Sequence, residues 1–280
     1  HTDPNKDIYV GSGLIHNIPG YIAARGLGTH CVLVADNNTY EVAGRAVSQV
    51  LKDAGLDVIE CVIVRDGVMD PDERAVGEVL LSIQPETEFL VAVGSGSITD
   101  TTRVNCARTG LPFVSVGTAP SMDGYASDNS SLIRDGIKVS LNTVGANVVI
   151  GDIDILKKAP MNMLKAGLGD ILAKYISLCD WRISHHVVGT YYCPEVAQMI
   201  RDVLKRCVDN AEGLLRREDE AVRAVFEAMV ISGIAVTYAG ISCPVSGVEH
   251  YISHVIDMRA VEFGTPMDLH GIQCAVGTYL

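Results

Sequence analysis

Between residues 31 and 116, short apolar runs rich in β-branched residues alternate with stretches whose apolar residues return at helical spacing. The runs are Cys31 to Ala35, Val58 to Val64, Leu90 to Val93 and Phe113 to Val116, and the helical spacing is carried by Val42 to Ala54 and Pro71 to Ile83. A strand without polar alternation has to be covered on both faces, and helices between such strands supply the cover. The pattern therefore predicts a parallel sheet in an α/β domain. The stretch from Ser130 to Asp152 alternates in the manner of a hairpin or a final pair of strands. After Asp154 the β-branched runs largely stop, and long helical stretches follow, such as Glu195 to Leu215 and Glu220 to Tyr238. Two domains are expected, an α/β domain over 1–156 and an all-α domain over 157–280.

Composition removes several function classes. The 280 residues carry 34 acidic groups against 22 Lys and Arg, a formal charge of −12. No basic run is present to displace counterions from a polyanion, so nucleic acid and anionic membrane surfaces are excluded as partners. The window from Phe226 to Val245 is apolar but contains Glu227, glycines, serines and Pro244, which fits a buried core helix better than a membrane insertion. The eight cysteines include no C-x-x-C pair and sit largely in apolar runs, where cysteine acts as a small hydrophobe. With no signal-peptide pattern at the N-terminus, the expectation is a reduced, cytoplasmic protein without a zinc knuckle.

Two segments carry chemistry. In FLVAVGSGSITD, the strand ending at Val93 runs into Gly94, Ser95, Gly96 and Ser97, where a helix begins. Glycines allow backbone amides to approach an anion, and a helix N-terminus adds unpaired N–H groups and partial positive charge. A pyrophosphate can be held this way without lysine. The alternative is a plain strand-to-helix turn, and the spacing is not the G-x-G-x-x-G of an ordinary Rossmann fingerprint. Asp36, at the end of the first expected strand, stands where a carboxylate accepts from an adenosine ribose and disfavours a 2′-phosphate, or it caps the helix that begins near Tyr40.

The second segment lies late in the chain. His250 and His254 are four residues apart and share a helix face, and His270 follows after a turn at Gly264 to Pro266. Asp170, in AGLGDILAKY, is the best further carboxylate: Gly167 and Gly169 open space beside a helix, Asp170 is expected at its start, and Lys174 shares its face one turn on. One carboxylate and two imidazoles suit a divalent ion with a position left open. A hydrogen-bonded core histidine is the competing account of each imidazole.

The segments GSGSITD, GTAPSMDGYAS (Gly117 to Ser127), GDILAKY, SGVEHYISH and LHG, in this order, resemble the sn-glycerol-1-phosphate dehydrogenases of archaea and their bacterial relatives. These belong to the superfamily of iron-dependent alcohol dehydrogenases, glycerol dehydrogenase and dehydroquinate synthase. The resemblance covers essentially the whole chain. It implies a dehydroquinate synthase-like architecture, with a dinucleotide-binding α/β domain and a helical metal and substrate domain. Relatives continue with further helices beyond the position of Leu280, so the second domain is expected to be incomplete at the C-terminus.

The resemblance also implies roles. The loop from Gly94 to Asp100 would hold the pyrophosphate of NAD or NADP, and Thr118, Ser121 and Ser127 would contact the cofactor. Asp170, His250 and His270 would bind one divalent ion, zinc first, with nickel or iron as alternatives. The first histidine of the H-x-x-x-H pair is chosen as ligand because it is the ligand in dehydroquinate synthase. Asp123 would meet the substrate, and His254 would face it or relay a proton, with Lys174 joining them as a catalytic candidate. The substrate would be a small phosphorylated triose or glycerol, and the protein a homo-oligomer. Relatives often have Glu at the position of Ile272, so a carboxylate that could support the last ligand is missing here.

The resulting expectation is reversible reduction of dihydroxyacetone phosphate to sn-glycerol 1-phosphate. Its rivals are a polyol dehydrogenase acting on glycerol, a dehydroquinate synthase-like lyase, and a nucleotide-binding module without catalysis.

Overall fold

The computed structural model describes residues 6–67 and 69–280, which divide into two compact units. One unit runs to Ala119 and resumes over Asp128–Lys158. The other comprises Pro120–Ser127 and Ala159–Leu280.

The first unit is built on strands β1 (Asp7–Gly11), β2 (His30–Asp36), β3 (Asp57–Ile63), β4 (Phe89–Gly94), β5 (Phe113–Gly117) and β8 (Val148–Asp152). Among the described residues they form one parallel sheet in the order β1-β8-β5-β4-β2-β3. Helices α1 (Ile18–Arg25), α2 (Asn37–Thr39), α3 (Arg45–Asp53), α4 (Glu73–Ser82), α5 (Gly96–Thr109) and α6 (Ile153–Leu156) connect them, with a π turn over Tyr40–Gly44 leading into α3. The strands β4, β5 and β8 are buried along their whole length. That is why they read as uninterrupted apolar runs. Leu33, Val91, Val116 and Ile150 meet Ile18 and Ile22 of α1 and Val47 and Leu51 of α3 in one core, while Val32, Val34, Leu90 and Ala92 point to the other face by the two-residue period.

The Ser130 to Asp152 stretch resolves into an antiparallel hairpin, β6 (Asn129–Arg134) with β7 (Ile137–Asn142), followed by β8. The sheet contains one strand with no signal in the sequence: β1, DIYVG, is only partly buried and too short to register as an apolar run. It lies at the edge, paired with β8 from Asp7↔Val148 to Gly11↔Asp152. Just beyond that pairing the Asp152 carboxylate accepts from the amides of Gly13 (3.2 Å) and Ile15 (3.1 Å).

The second unit holds helices α7 (Met161–Val188), α8 (Pro194–Asp209), α9 (Ala211–Leu215), α10 (Asp219–Ala239), α11 (Val248–Phe263) and α12 (His270–Tyr279). Leu178 and Trp181 of α7, Val196 and Ile200 of α8 and Ala235 of α10 share a core. Helix α10 is long and apolar enough to cross a membrane, yet 61% of its apolar window is buried, so it packs as a core helix. The segment Pro120–Ser127 is clamped to α7 and α10. A Cβ at Gly167 would come 1.8 Å from the Pro120 carbonyl oxygen and one at Gly233 2.8 Å from the Ser127 nitrogen, and the Tyr125 and Phe226 rings lie 5.0 Å apart.

Candidate metal centre and dinucleotide loop

Helix α7 begins at Met161, so Asp170 lies well inside it and not at its start as the two glycines suggested. These glycines mark close backbone approach and not a helix end. A Cβ on Gly169 would come 2.4 Å from the Gly271 carbonyl oxygen, and one on Gly271 1.9 Å from that of Ala166. Helices α7 and α12 therefore touch backbone to backbone, and the residues next to the contact, Asp170 and His270, are brought face to face. Only residues without a Cβ permit this approach.

Around that crossing, Asp170, His250, His270 and Cys274 each offer one ligand atom, all within 4.8 Å of one another. His250 Nε2 is 3.7 Å from Asp170 Oδ1, and the His250 and His270 rings are 5.0 Å apart. His254, one turn along α11, lies with its ring 6.1 Å from that of His270. Asp170 is fully buried. Its Oδ1 accepts from Lys174 Nζ at 2.8 Å, while Oδ2 is buried with no hydrogen-bond partner. Lys174, equally buried, also donates to Asp123 Oδ2 at 3.0 Å, joining Asp123 to the cluster.

The hydrogen-bond network fixes the proton on each imidazole. Glu249 Oε1 sits 2.7 Å from His250 Nδ1, and a carboxylate only accepts, so Nδ1 carries the proton and Nε2 the lone pair. Ser253 spends its one hydroxyl proton on Gln273 Oε1 at 2.7 Å, and the Gln273 amide nitrogen donates to the Asp268 carbonyl. Ser253 Oγ must then accept from His270 Nδ1, 2.9 Å away, which again leaves the lone pair on Nε2. Two imidazoles whose Nδ1 atoms are committed to hydrogen bonds and a carboxylate oxygen without a partner fit a divalent ion.

Electrostatics set the charge states. Burial pushes the Asp170 carboxyl up, but Lys174, followed by His270 and His250, outweighs it and holds the group below its ordinary 3.8. Burial likewise favours neutral Lys174, and the two carboxylates overcome it and raise the ammonium above its usual 10.5. The thiol of Cys274 is raised, first by burial and then by Asp170.

Several members of this constellation have no signal of their own in the sequence. Cys274 reads as one more small hydrophobe, although the His270-to-Cys274 spacing of four residues puts both on one helix face. Glu249, Ser253 and Gln273 hold the His250 and His270 rings, and nothing in their spacing sets them apart. Ile272 is half-buried, and carboxylate support comes instead from Glu249 on the other imidazole.

The phosphate-loop candidates lie in the α/β unit. From β2 the chain adds β3 on one side and returns to place β4 on the other, so the C-terminal ends of β2 and β4 flank a switch in strand order, where doubly wound sheets bind their ligands. Asp36 ends β2 and Gly94 ends β4. Helix α5 starts at Gly96, and its N-cap residue Ser95 makes no side-chain cap, so the first-turn amides lack a side-chain acceptor. Thr118, at the end of β5, donates its amide to the Gly94 carbonyl and braces the loop. Asp36 makes the expected cap, with Oδ1 accepting from the amides of Asn38 and Thr39. Asp100 is taken up within the unit, by Arg103 Nη1 at 2.7 Å and the Ser131 amide at 3.2 Å. Ser121 and Ser127 are buried in the segment grouped with the helices.

Comparison with known proteins agrees with this arrangement. Residues 9–160 match the family model of iron-containing alcohol dehydrogenases. A protein of Halalkalibacterium halodurans named glycerol-1-phosphate dehydrogenase (NAD(P)+) is 37% identical over 276 residues, 98% of this chain and 69% of that protein. One of the same name from Methanosarcina mazei is 33% identical over 275 residues, 98% of this chain and 75% of that protein. Among solved structures, glycerol dehydrogenase from Schizosaccharomyces pombe superposes with a TM-score of 0.75 at 19% identity, covering 98% of this chain and 69% of that one. The iron-containing alcohol dehydrogenase of Thermococcus thioreducens gives 0.76 at 18% identity, covering 97% and 72%. With the family model spanning more than half of its length and relatives above 30% identity along nearly all of it, the chain belongs to the iron-containing alcohol dehydrogenase family.

Proposed function

We propose that this protein is a metal-dependent, NAD(P)-linked oxidoreductase that interconverts dihydroxyacetone phosphate and sn-glycerol 1-phosphate. The observation that carries the reading is the buried Asp170 carboxylate, with Oδ2 left without a partner beside two imidazoles whose Nδ1 protons are already committed. Relatives bearing the name glycerol-1-phosphate dehydrogenase support the substrate.

In this reading Asp170, His250 and His270 hold a divalent ion, zinc, nickel or iron, which supplies Lewis acidity to a carbonyl oxygen. The nicotinamide supplies the hydride. The chain's own groups do the rest. First-turn amides of α5, with Gly94 and Ser95, bind the pyrophosphate, and Asp36 receives the ribose. Ser121 and Ser127 make further cofactor contacts. Asp123 accepts a hydrogen bond from a substrate hydroxyl, and Lys174 holds Asp123 and Asp170 in place and keeps Asp170 ionised. His254 exchanges the proton of the product hydroxyl at its ring nitrogen.

The test is a substrate and cofactor matrix on metal-stripped protein reloaded with zinc, nickel or iron. Dihydroxyacetone phosphate should drive NADH or NADPH oxidation well above dihydroxyacetone, and His250→Ala should bind no stoichiometric ion and lose the activity. Equal or better turnover of dihydroxyacetone would make the protein a polyol dehydrogenase and overturn the phosphate assignment.

A further inference from the structure

We propose that Cys274 is a metal ligand too, and that its Sγ completes with Asp170, His250 and His270 a four-donor pocket for a thiophilic divalent ion. The inference rests on the reading of Asp170, His250 and His270 as a metal centre and adds to it the class of ion the site selects.

Cys274 is fully buried, one turn past His270 on α12, with Sγ 3.5 Å from His270 Nε2, the nitrogen that the Ser253 network leaves with its lone pair. Its surroundings differ from those of the other buried cysteines. Cys207 gives its thiol proton to the Ala224 carbonyl, and Cys31 belongs to the apolar core of the sheet. Cys274 faces a carboxylate and two imidazoles within the same 4.8 Å cluster, with the Ser253 hydroxyl in hydrogen-bond contact beside it. The second, independent sign of a ligand is Asp170 Oδ2, wholly buried and without a partner in that cluster. A buried carboxylate oxygen left unbonded is costly, and a cation at this point satisfies it.

The Lys174 ammonium is offset by Asp123 and the Glu249 carboxylate is held against His250, so the Asp170 carboxylate and a Cys274 thiolate are the anionic donors that would face a dication. The metal–sulfur bond forms as the S–H bond gives up its proton to solvent. A donor set of one sulfur, two imidazole nitrogens and one carboxylate oxygen favours zinc, cobalt or nickel over the hard, oxygen-seeking ions magnesium, calcium and manganese.

The test uses cobalt as an optical probe. The metal-stripped protein, Cys274→Val, Cys274→Ser and His250→Ala are each titrated with cobalt(II) and then with zinc in competition. Wild type should take up one cobalt with visible ligand-field bands and a near-ultraviolet thiolate-to-cobalt charge-transfer band. Both Cys274 variants should lose the charge-transfer band while keeping visible bands, and they should bind zinc at least about tenfold more weakly, since losing mere outer support of a ligand costs about 10–100-fold. Visible bands in wild type that vanish in His250→Ala, without any charge-transfer band, would leave the metal centre standing and overturn the cysteine assignment. An unchanged charge-transfer band in Cys274→Val would place the thiolate elsewhere and overturn it equally. Failure of wild type to bind cobalt would sink both readings. The wild-type spectrum is decisive even if a variant folds poorly.

Discussion

Lys174 is the residue on which the charge balance of the cluster turns. It is fully buried between Asp170 and Asp123, and a pair of this kind contributes little net stability when intact but leaves an uncompensated charge when broken. Lys174→Met should destabilise the protein by about 3–5 kcal/mol in urea unfolding at neutral pH. The pH dependence should also weaken. In the wild type the Asp170 carboxyl is held below 3.8, so its contribution is present above that value and lost as the pH falls through the depressed one. Without the ammonium only His270 and His250 oppose burial, so the depression of the carboxyl shrinks and the variant should lose less stability than wild type as the pH falls. A variant that loses stability in parallel with wild type across the acid range would contradict this. At this scale His250, His254, His270 and Asp170 stood out as a candidate cluster, the choice of His250 over His254 came from the resemblance to dehydroquinate synthase, and the folded chain gathers Asp170, His250 and His270 together. Cys274 and Glu249 did not stand out. A cysteine in an apolar run and a glutamate at the start of a helix each have an ordinary explanation, and only the folded chain puts them against the imidazoles.

Among the elements, the crossing of α7 and α12 sets the spacing of the proposed ligands. Gly169→Ala would place a methyl 2.4 Å from the Gly271 carbonyl oxygen, so the helices must part. The expected cost is about 1–3 kcal/mol in stability, as for other overpacked sites, together with weaker zinc binding as Asp170 moves from His270. Gly77→Ala is the control. Gly77 sits in α4 with nothing within 4 Å of the added atom, and the change should stabilise by about 0.5–1 kcal/mol through helix propensity alone. Equal behaviour of the two variants would refute the close-approach account. The sheet strands were readable because full burial imposes unbroken apolar runs. The start of α7 was not, since a glycine that admits a neighbouring backbone looks in sequence like a glycine that ends a helix. The membership of Pro120–Ser127 in the helical unit was invisible for the same reason: it is defined by contacts with α7 and α10, not by any local pattern.

Over the whole molecule, ligand occupancy should be visible as stability. An ion bound only by the native state at a hundred times its dissociation constant adds about 2.7 kcal/mol. Calorimetry of metal-stripped protein with zinc added back should show an upward shift in Tm that His250→Ala abolishes, and a shift that survives this substitution would place the ion elsewhere. The strand order has a bearing on how the chain is made. Among the described strands β1 comes first in the chain and pairs with β8 alone, and the Asp152 carboxylate that receives Gly13 and Ile15 comes at the very end of β8. During translation β1 must wait, unpaired, while four sheet strands and the β6–β7 hairpin are laid down. Until Val148 to Asp152 leave the ribosome, β5 presents an open apolar edge and β1 is a loose partner for it. Folding of this unit is thus a late closure between distant segments, slow for its size, and the stretch of synthesis between β5 and β8 is when the nascent chain has most need of a chaperone.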